Sequence, residues 1–327
     1  MKNFENIDVK SVKEAVGLLQ KFQNEKQSAA VVGGGSEYLQ LMKVRVATPD
    51  FLLNLKTIPG LSYIKEEGSG FRIGALTTLT EIEENKAVQE KLLFLSQAAG
   101  EAASPQIRNA GTIAGNLCQR PFCWYFRSAS HTCLRKGGEV CYTVAGDSRY
   151  HAILGAGPSY IVHPSDLAPA LVALDARIKI AGPAGEKTIP LEKFFVLPQV
   201  NYRRENILGP AEIVTEIQIP LPKTGSKGFY HKMRERQAWD HAIVSVAAVV
   251  QNGNGVARDA RIVLGGVAPV PWRAPKAEEF LRGKKIDETA AAKAGEIALE
   301  GARPLKDNVY KVGLAKALIQ RALLASV

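Results

Sequence analysis

Ser104-Pro105-Gln106-Ile107-Arg108-Asn109-Ala110-Gly111-Thr112-Ile113-Ala114-Gly115-Asn116 sets two glycines among side chains that donate and accept hydrogen bonds. Glycine reaches positive φ and puts no Cβ in a ligand's way, so this stretch can close its backbone N–H groups on a phosphate. An earlier turn, Gly33-Gly34-Gly35-Ser36-Glu37, ends the apolar run Ala29 to Val32 and leads into Tyr38, Leu39, Leu41 and Met42, a predicted helix. Its N–H groups then face a helix start, where anions bind. Taken alone, three glycines after a strand are equally a tight turn. The chain has no Gly-x-Gly-x-x-Gly opening a helix and no Gly-Lys-Ser/Thr phosphate loop.

Outward from these turns, Phe4 to Val9 reads as a strand and Val12, Ala15, Val16, Leu19 and Phe22 as one helix face, opened by a Ser11/Glu14 capping box. Phe51 to Leu55 and Phe71 to Ile73 are expected strands. Thr78 with Glu81 caps a helix running to Ala102, which delivers the chain to Ser104. Ala152 to Leu154, Tyr160 to Val162 and Ile213 to Ile219 read as strands, and Leu167 to Leu174 as a helix after His163-Pro164-Ser165-Asp166. Lys223 to Gly228 is the best linker and marks a domain boundary. Beyond it, Ile243 to Val250 and Ala260 to Leu264 form strands around the turn Asn252-Gly253-Asn254-Gly255, before a helical tail rich in alanine and leucine.

The 327 residues are 46% apolar and 23% charged, ordinary for a globular chain. No apolar run approaches the roughly 18–20 residues of a membrane span. The first residues lack the apolar core of a secretory signal, so a cytoplasmic protein is expected, with export beside a signal-bearing partner the alternative. A net charge of +10 permits an acidic partner, yet the basic residues are scattered in pairs such as Lys284-Lys285 and Arg203-Arg204, which argues against nucleic-acid binding. All four cysteines, Cys118, Cys123, Cys133 and Cys141, fall in one loop, which favours metal or redox use over stapling. Their spacing matches neither a zinc ribbon nor a close-packed ferredoxin motif. Four thiolates could ligate a [4Fe-4S] cluster, supported by Arg127, Arg135 and Lys136; buried thiols packed by Trp124, Tyr125 and Phe126 are the other reading. His131, His151, His231 and His241 read as core or surface histidines, and Lys232 as a solvated lysine.

Four segments in order resemble the FAD-binding medium subunits of molybdenum hydroxylases: Val31 to Glu37 with Leu41-Met42-Lys43, Ser104 to Asn116, His163 to Leu171, and Glu212 to Pro220. The resemblance implies an α+β fold with a two-lobed FAD-binding domain over 1–222, its lobes about 1–56 and 57–222, and a C-terminal domain over 223–327 built on a three-stranded antiparallel sheet with helices. It implies that Val32, Gly33, Gly34, Gly35, Ser36, Glu37 and Tyr38 cradle the FAD pyrophosphate. Ala103, Ile107, Gly111, Thr112, Gly115, Asn116 and Gln119 would line the second side, Asp166 the adenosine end and Lys232 the isoalloxazine. The insertion at about 118–162 resembles the 4-hydroxybenzoyl-CoA reductase branch, whose flavin subunit carries a [4Fe-4S] cluster; relatives with the cluster have a later cysteine that this chain lacks, so either Cys118 completes a rearranged set of four or the site is incomplete and the insertion persists without metal. Implied partners are a molybdopterin-containing large subunit, a [2Fe-2S] small subunit, and an external acceptor or donor such as NAD, a ferredoxin or a quinone. A self-sufficient FAD-dependent oxidoreductase and a metal-binding interaction module are the alternatives.

Overall fold

In a computed structural model that describes every residue except Ser69 and Asn254, the chain begins with β1 (Glu5–Asp8), α1 (Val12–Asn24), β2 (Ala29–Val32), α2 (Tyr38–Lys43) and β3 (Phe51–Asn54). The three strands form a parallel sheet in the order β1-β3-β2, because each helix carries the chain back before the next strand begins. Ser11 Oγ caps α1 by accepting the Glu14 N–H at 3.1 Å. Glu14 returns its carboxylate to the Lys10 N–H instead of closing the box on Ser11. Ala15, Val16, Leu19 and Phe22 form the buried face of α1, and Phe22 stacks on Phe51 with ring centroids 4.1 Å apart.

The second layer is a five-stranded antiparallel sheet, β4 (Ile64–Glu67), β5 (Gly70–Gly74), β6 (Arg177–Gly182), β7 (Gly185–Pro190) and β8 (Ile213–Pro220), ordered β4-β5-β8-β6-β7. Between β5 and β6 come α3 (Leu79–Glu84), α4 (Lys86–Lys91), α5 (Leu93–Gly100), α6 (Pro105–Arg108), α7 (Ile113–Leu117), α8 (Trp124–Arg127) and α9 (Leu167–Ala173); α10 (Pro198–Asn201) precedes β8. The Thr78–Glu81 capping box is complete, but the expected long helix is cut where Asn85 accepts the Val88 N–H and starts α4. Phe71, Ile73, Ile82, Leu95, Leu171 and Ile217 meet in the largest core.

A third sheet, β9 (Ser226–Met233), β10 (Val244–Gly253), β11 (Val256–Gly265) and β12 (Trp272–Arg273), is antiparallel in the order β12-β11-β10-β9. It has four strands where three were expected, because β12 is a two-residue edge too short to show alternation. In β10, Val244, Val246, Ala248 and Val250 face α11 (Pro275–Leu281), α12 (Glu288–Ala298) and α13 (Tyr310–Ala325), while Ala247 enters the larger core. Alternation along one strand thus joins the C-terminal layer to the rest. The Asn252 to Gly255 turn includes Asn254, which lies outside the described residues.

Two further expectations change. Lys223 to Gly228 is not all linker, since β9 starts at Ser226; a Cβ on Gly228 would lie 2.2 Å from Phe94 Cδ1, so that glycine makes room for a ring. Ala152 to Leu154 and Tyr160 to Val162 are irregular. Their apolar residues serve burial, and the Ile153 and Leu154 N–H groups both reach the Val267 carbonyl. Among the described residues no helix is long and apolar enough to cross a membrane. Ile217 is fully buried on the central strand β8; Ile217→Ala should lower unfolding stability by about 2–5 kcal/mol, read as an earlier chemical-denaturation midpoint.

Candidate cofactor site and cysteine loop

The two glycine turns touch backbone to backbone. A Cβ on Gly34 would sit 1.9 Å from the Ala110 carbonyl oxygen, and one on Gly33 would sit 3.1 Å from Thr112 Oγ1. Gly35, at φ +72°, turns the chain into α2. On the second turn, Ser104 Oγ accepts from the Ile107 N–H at 3.4 Å, and Thr112 Oγ1 accepts from Gly115 at 3.1 Å to cap α7. Gly111 lies beside Ser36. The expected residues Gly33, Gly34, Ser36, Gly111 and Thr112 therefore meet at one seam, with Ala110, not singled out from the sequence, at its centre. Glu37 pairs with Arg127 at 2.6 Å; burial still holds its carboxyl above the usual range against the pull of the guanidinium. Ala103 is left-handed at φ +49° and accepts the N–H of Trp239, itself at φ +52°, so a loop of the C-terminal layer docks beside the second turn.

Asn116 and Gln119 continue this side. Ser165 donates its hydroxyl to Asn116 Oδ1 at 2.5 Å and accepts the Ala168 N–H at 2.9 Å, which starts α9. Gln119 donates to the Asn116 carbonyl at 3.0 Å. His163 Nε2 meets the Leu117 carbonyl at 3.2 Å, and burial pushes the imidazole down to about 4. Asp166 accepts from Tyr230 Oη at 2.9 Å and from Lys232 Nζ at 2.8 Å; Lys232 also donates to the Glu101 carbonyl at 2.9 Å. Neither side chain is solvated: Lys232 is 0% exposed and Asp166 6%. A salt bridge places side by side the two residues that the resemblance assigned to the adenosine end and to the isoalloxazine of FAD.

The four cysteines are divided. Cys123 and Cys133 are buried with Leu41, Phe126 and Ile161, and with Cys141 they line one small cavity. Cys118 instead ends α7 against the largest core, where burial, aided by the Glu205 carboxylate, pushes its thiol up to about 12. Burial pushes Cys123 up to about 11, against the backbone N–H groups of Phe126 and Tyr125. The expected cationic support is spent elsewhere: Arg135 on Glu205, Arg127 on Glu37, and Lys136 on the carbonyls of Tyr125 and Ser128. His151, read from the sequence as no ligand, lies with Nε2 3.2 Å from Cys123 Sγ. Its only sequence signal is the continuation Cys133-x7-Cys141-x9-His151. Among the described residues no three His, Cys, Asp or Glu side chains close on a single metal ion.

Residues 2–222 match the family described as the FAD binding domain in molybdopterin dehydrogenase, and residues 228–326 the CO dehydrogenase flavoprotein C-terminal domain. The chain belongs to the FAD-binding medium subunits of the molybdenum hydroxylases. This medium subunit is 35% identical over 300 residues to the aldehyde oxidoreductase FAD-binding subunit PaoB of Escherichia coli K12, covering 90% of each. It is 30% identical over 328 residues to the carbon monoxide dehydrogenase medium chain of Hydrogenophaga pseudoflava, covering 99% of this chain and 96% of the relative. A solved structure of carbon monoxide dehydrogenase from that organism, lacking the Mo-pyranopterin moiety, superposes with a TM-score of 0.78 over 99% of this chain and 97% of its own. It is an oxidoreductase subunit with an electron-relay role.

The buried ion pair sets a first test of the site. Lys232→Met leaves Asp166 without its cation and should cost about 3–5 kcal/mol, read by denaturation at neutral pH. A second concerns acid. In the unfolded chain His163 takes up a proton as pH falls through about 6.5, whereas folded it resists to about 4. Unfolding therefore binds more protons across that window, and stability should fall as pH drops from 6.5 to 4. His163→Gln should reduce that acid limb in thermal melts, leaving the parts contributed by His151 and His241, which burial also holds at about 4.

Proposed function

We propose that this medium subunit binds one FAD between its two glycine turns and relays electrons between a [2Fe-2S] small subunit and an external acceptor or donor such as NAD, a ferredoxin or a quinone. A molybdopterin-containing large subunit would hold the organic substrate, in the cytoplasm. The observation that carries the reading is the contact of Gly34 with Ala110, which brings two sets of backbone N–H groups to one seam. Val32 to Tyr38 would hold the pyrophosphate from one side. Ala103, Ile107, Gly111, Thr112, Gly115, Asn116 and Gln119 would hold the dinucleotide from the other. Asp166 would bind toward the adenosine part and Lys232 near the isoalloxazine, and their salt bridge fixes the start of α9 against β9. Flavin suits this junction because it passes electrons singly or in pairs, while the protein supplies binding and orientation.

The cysteine loop is proposed as the seat of a second redox centre, an iron–sulfur cluster, a reading supported by three thiols on one cavity. Gly34→Ala tests the FAD reading. Its methyl would have to displace the Ala110 carbonyl and part the turns, so FAD per chain, read from flavin absorbance of the purified complex, should fall at least about tenfold, the effect of about 1.4 kcal/mol. Full flavin occupancy in that variant would overturn the two-turn clamp. Substrate turnover by the subunit without any molybdenum partner would favour a self-sufficient oxidoreductase instead.

A further inference from the structure

We propose that the cavity between the end of α2 and the loop after α7 is a second ligand site, one that takes a nucleotide through its phosphates. The proposal does not depend on how FAD is held. The cavity has a volume of about 370 Å³, within the roughly 300–1,000 Å³ common for small-molecule sites. Leu41, Arg45 and Val46 line it from α2 and its exit, and Arg120, Phe126, Arg135 and Lys136 line it from the loop. None of these residues is among those expected to hold FAD.

Three observations carry it. The first is charge: four cations line the cavity and no carboxylate does. Glu205, outside the lining, pairs with both Arg120 and Arg135, while Lys136 meets the carbonyls of Tyr125 and Ser128. Arg135 is the second. It is 6% exposed, and its Nε–H is buried without an acceptor. An unpaired buried donor is costly and uncommon, and a phosphate oxygen in this cavity would satisfy it. The third is the backbone of Arg45, which stands at φ +57° just past Val44, the cap of α2. The N–H groups of Val46 and Ala47 both return to the Leu41 carbonyl around it. A left-handed residue at a helix end is ordinarily glycine. An arginine held there carries backbone strain of the kind that collects at binding sites. The walls also differ in kind, with Leu41, Val46 and Phe126 apolar among the cations. That pairing suits a ligand with a flat base and a charged tail. Arginine forks match phosphate oxygens in pairs, and the surplus of cations over carboxylate favours a di- or triphosphate over a single carboxylate.

The test uses the complete, FAD-loaded complex as wild type, R45G and R45E, with ADP as the probe and binding followed by titration calorimetry. Wild type should bind ADP at the medium subunit with its flavin retained, and added salt should weaken the binding. R45G gives the left-handed position to the residue that favours it, so it should melt no earlier than wild type. It should nevertheless bind ADP at least about tenfold more weakly, the loss of one charge-assisted hydrogen bond. R45E should bind more weakly still. Affinity unchanged in both variants, release of FAD by ADP, or no binding at millimolar ADP would overturn the site. Inorganic phosphate competing as strongly as ADP would overturn the assignment of a nucleotide. An earlier melt of R45G would show that Arg45 serves the fold and not a ligand.

Discussion

The contact of Gly34 with the Ala110 carbonyl governs how this subunit is assembled. It is an approach between two pieces of main chain, with no space for even a methyl group. On its far side the second turn is tied down by backbone hydrogen bonds from Leu79 N–H to the Gly111 carbonyl and from Ile113 N–H to the Thr77 carbonyl, both 2.9 Å. The first turn is tied to the parallel sheet through β2 and to Arg127 through Glu37. Each turn is thus held from behind by its own layer, and the layers meet where the glycines permit. Donor groups that must face one anion gain from this, because their positions are fixed before any ligand arrives.

The buried Asp166–Lys232 pair does a related job at the other domain. A charge pair out of water costs solvation, which is offset only when every lone pair and proton finds a partner. Tyr230 and the Glu101 carbonyl supply those partners, drawing β9, α9 and the end of α5 to one point. The sheet that carries β9 also shares a core with the five-stranded layer through Tyr230, Ala247 and Val263. Polar specificity and apolar burial therefore act at the same boundary.

Much of this was legible because it is local. The glycine turns, the Thr78–Glu81 box and the helix after Ser165 depend on residues a few positions apart, and the sequence carries their signatures openly. What escaped reading depends on distant partners. Gly228 resembles linker until Phe94 is seen to occupy its missing side chain; Lys232 resembles a surface lysine until Asp166 is found beside it. β12 is two residues long and is defined by its neighbour β11 alone. His151 carries no local mark at all, since what distinguishes it is the company of Cys123 after a fold back of the loop. Cys118, though near the other thiols in sequence, packs against the largest core, a placement set by residues far along the chain.

That helix, α7, has a consequence for which parts of the chain can change length. It begins at Thr112, which closes the second glycine turn, and ends at Cys118, where the loop departs; His163 holds its last carbonyl from outside. A residue added or removed within Ile113–Leu117 would rotate Thr112 away from Gly33 or draw the Leu117 carbonyl off His163. Past Cys118 the chain is tied to the clamp again at Arg127, which holds Glu37, and to the C-terminal layer at Ser148, Ile153 and Leu154. A change of length in the loop is therefore absorbed most easily between those ties, while the clamp before it keeps a fixed length.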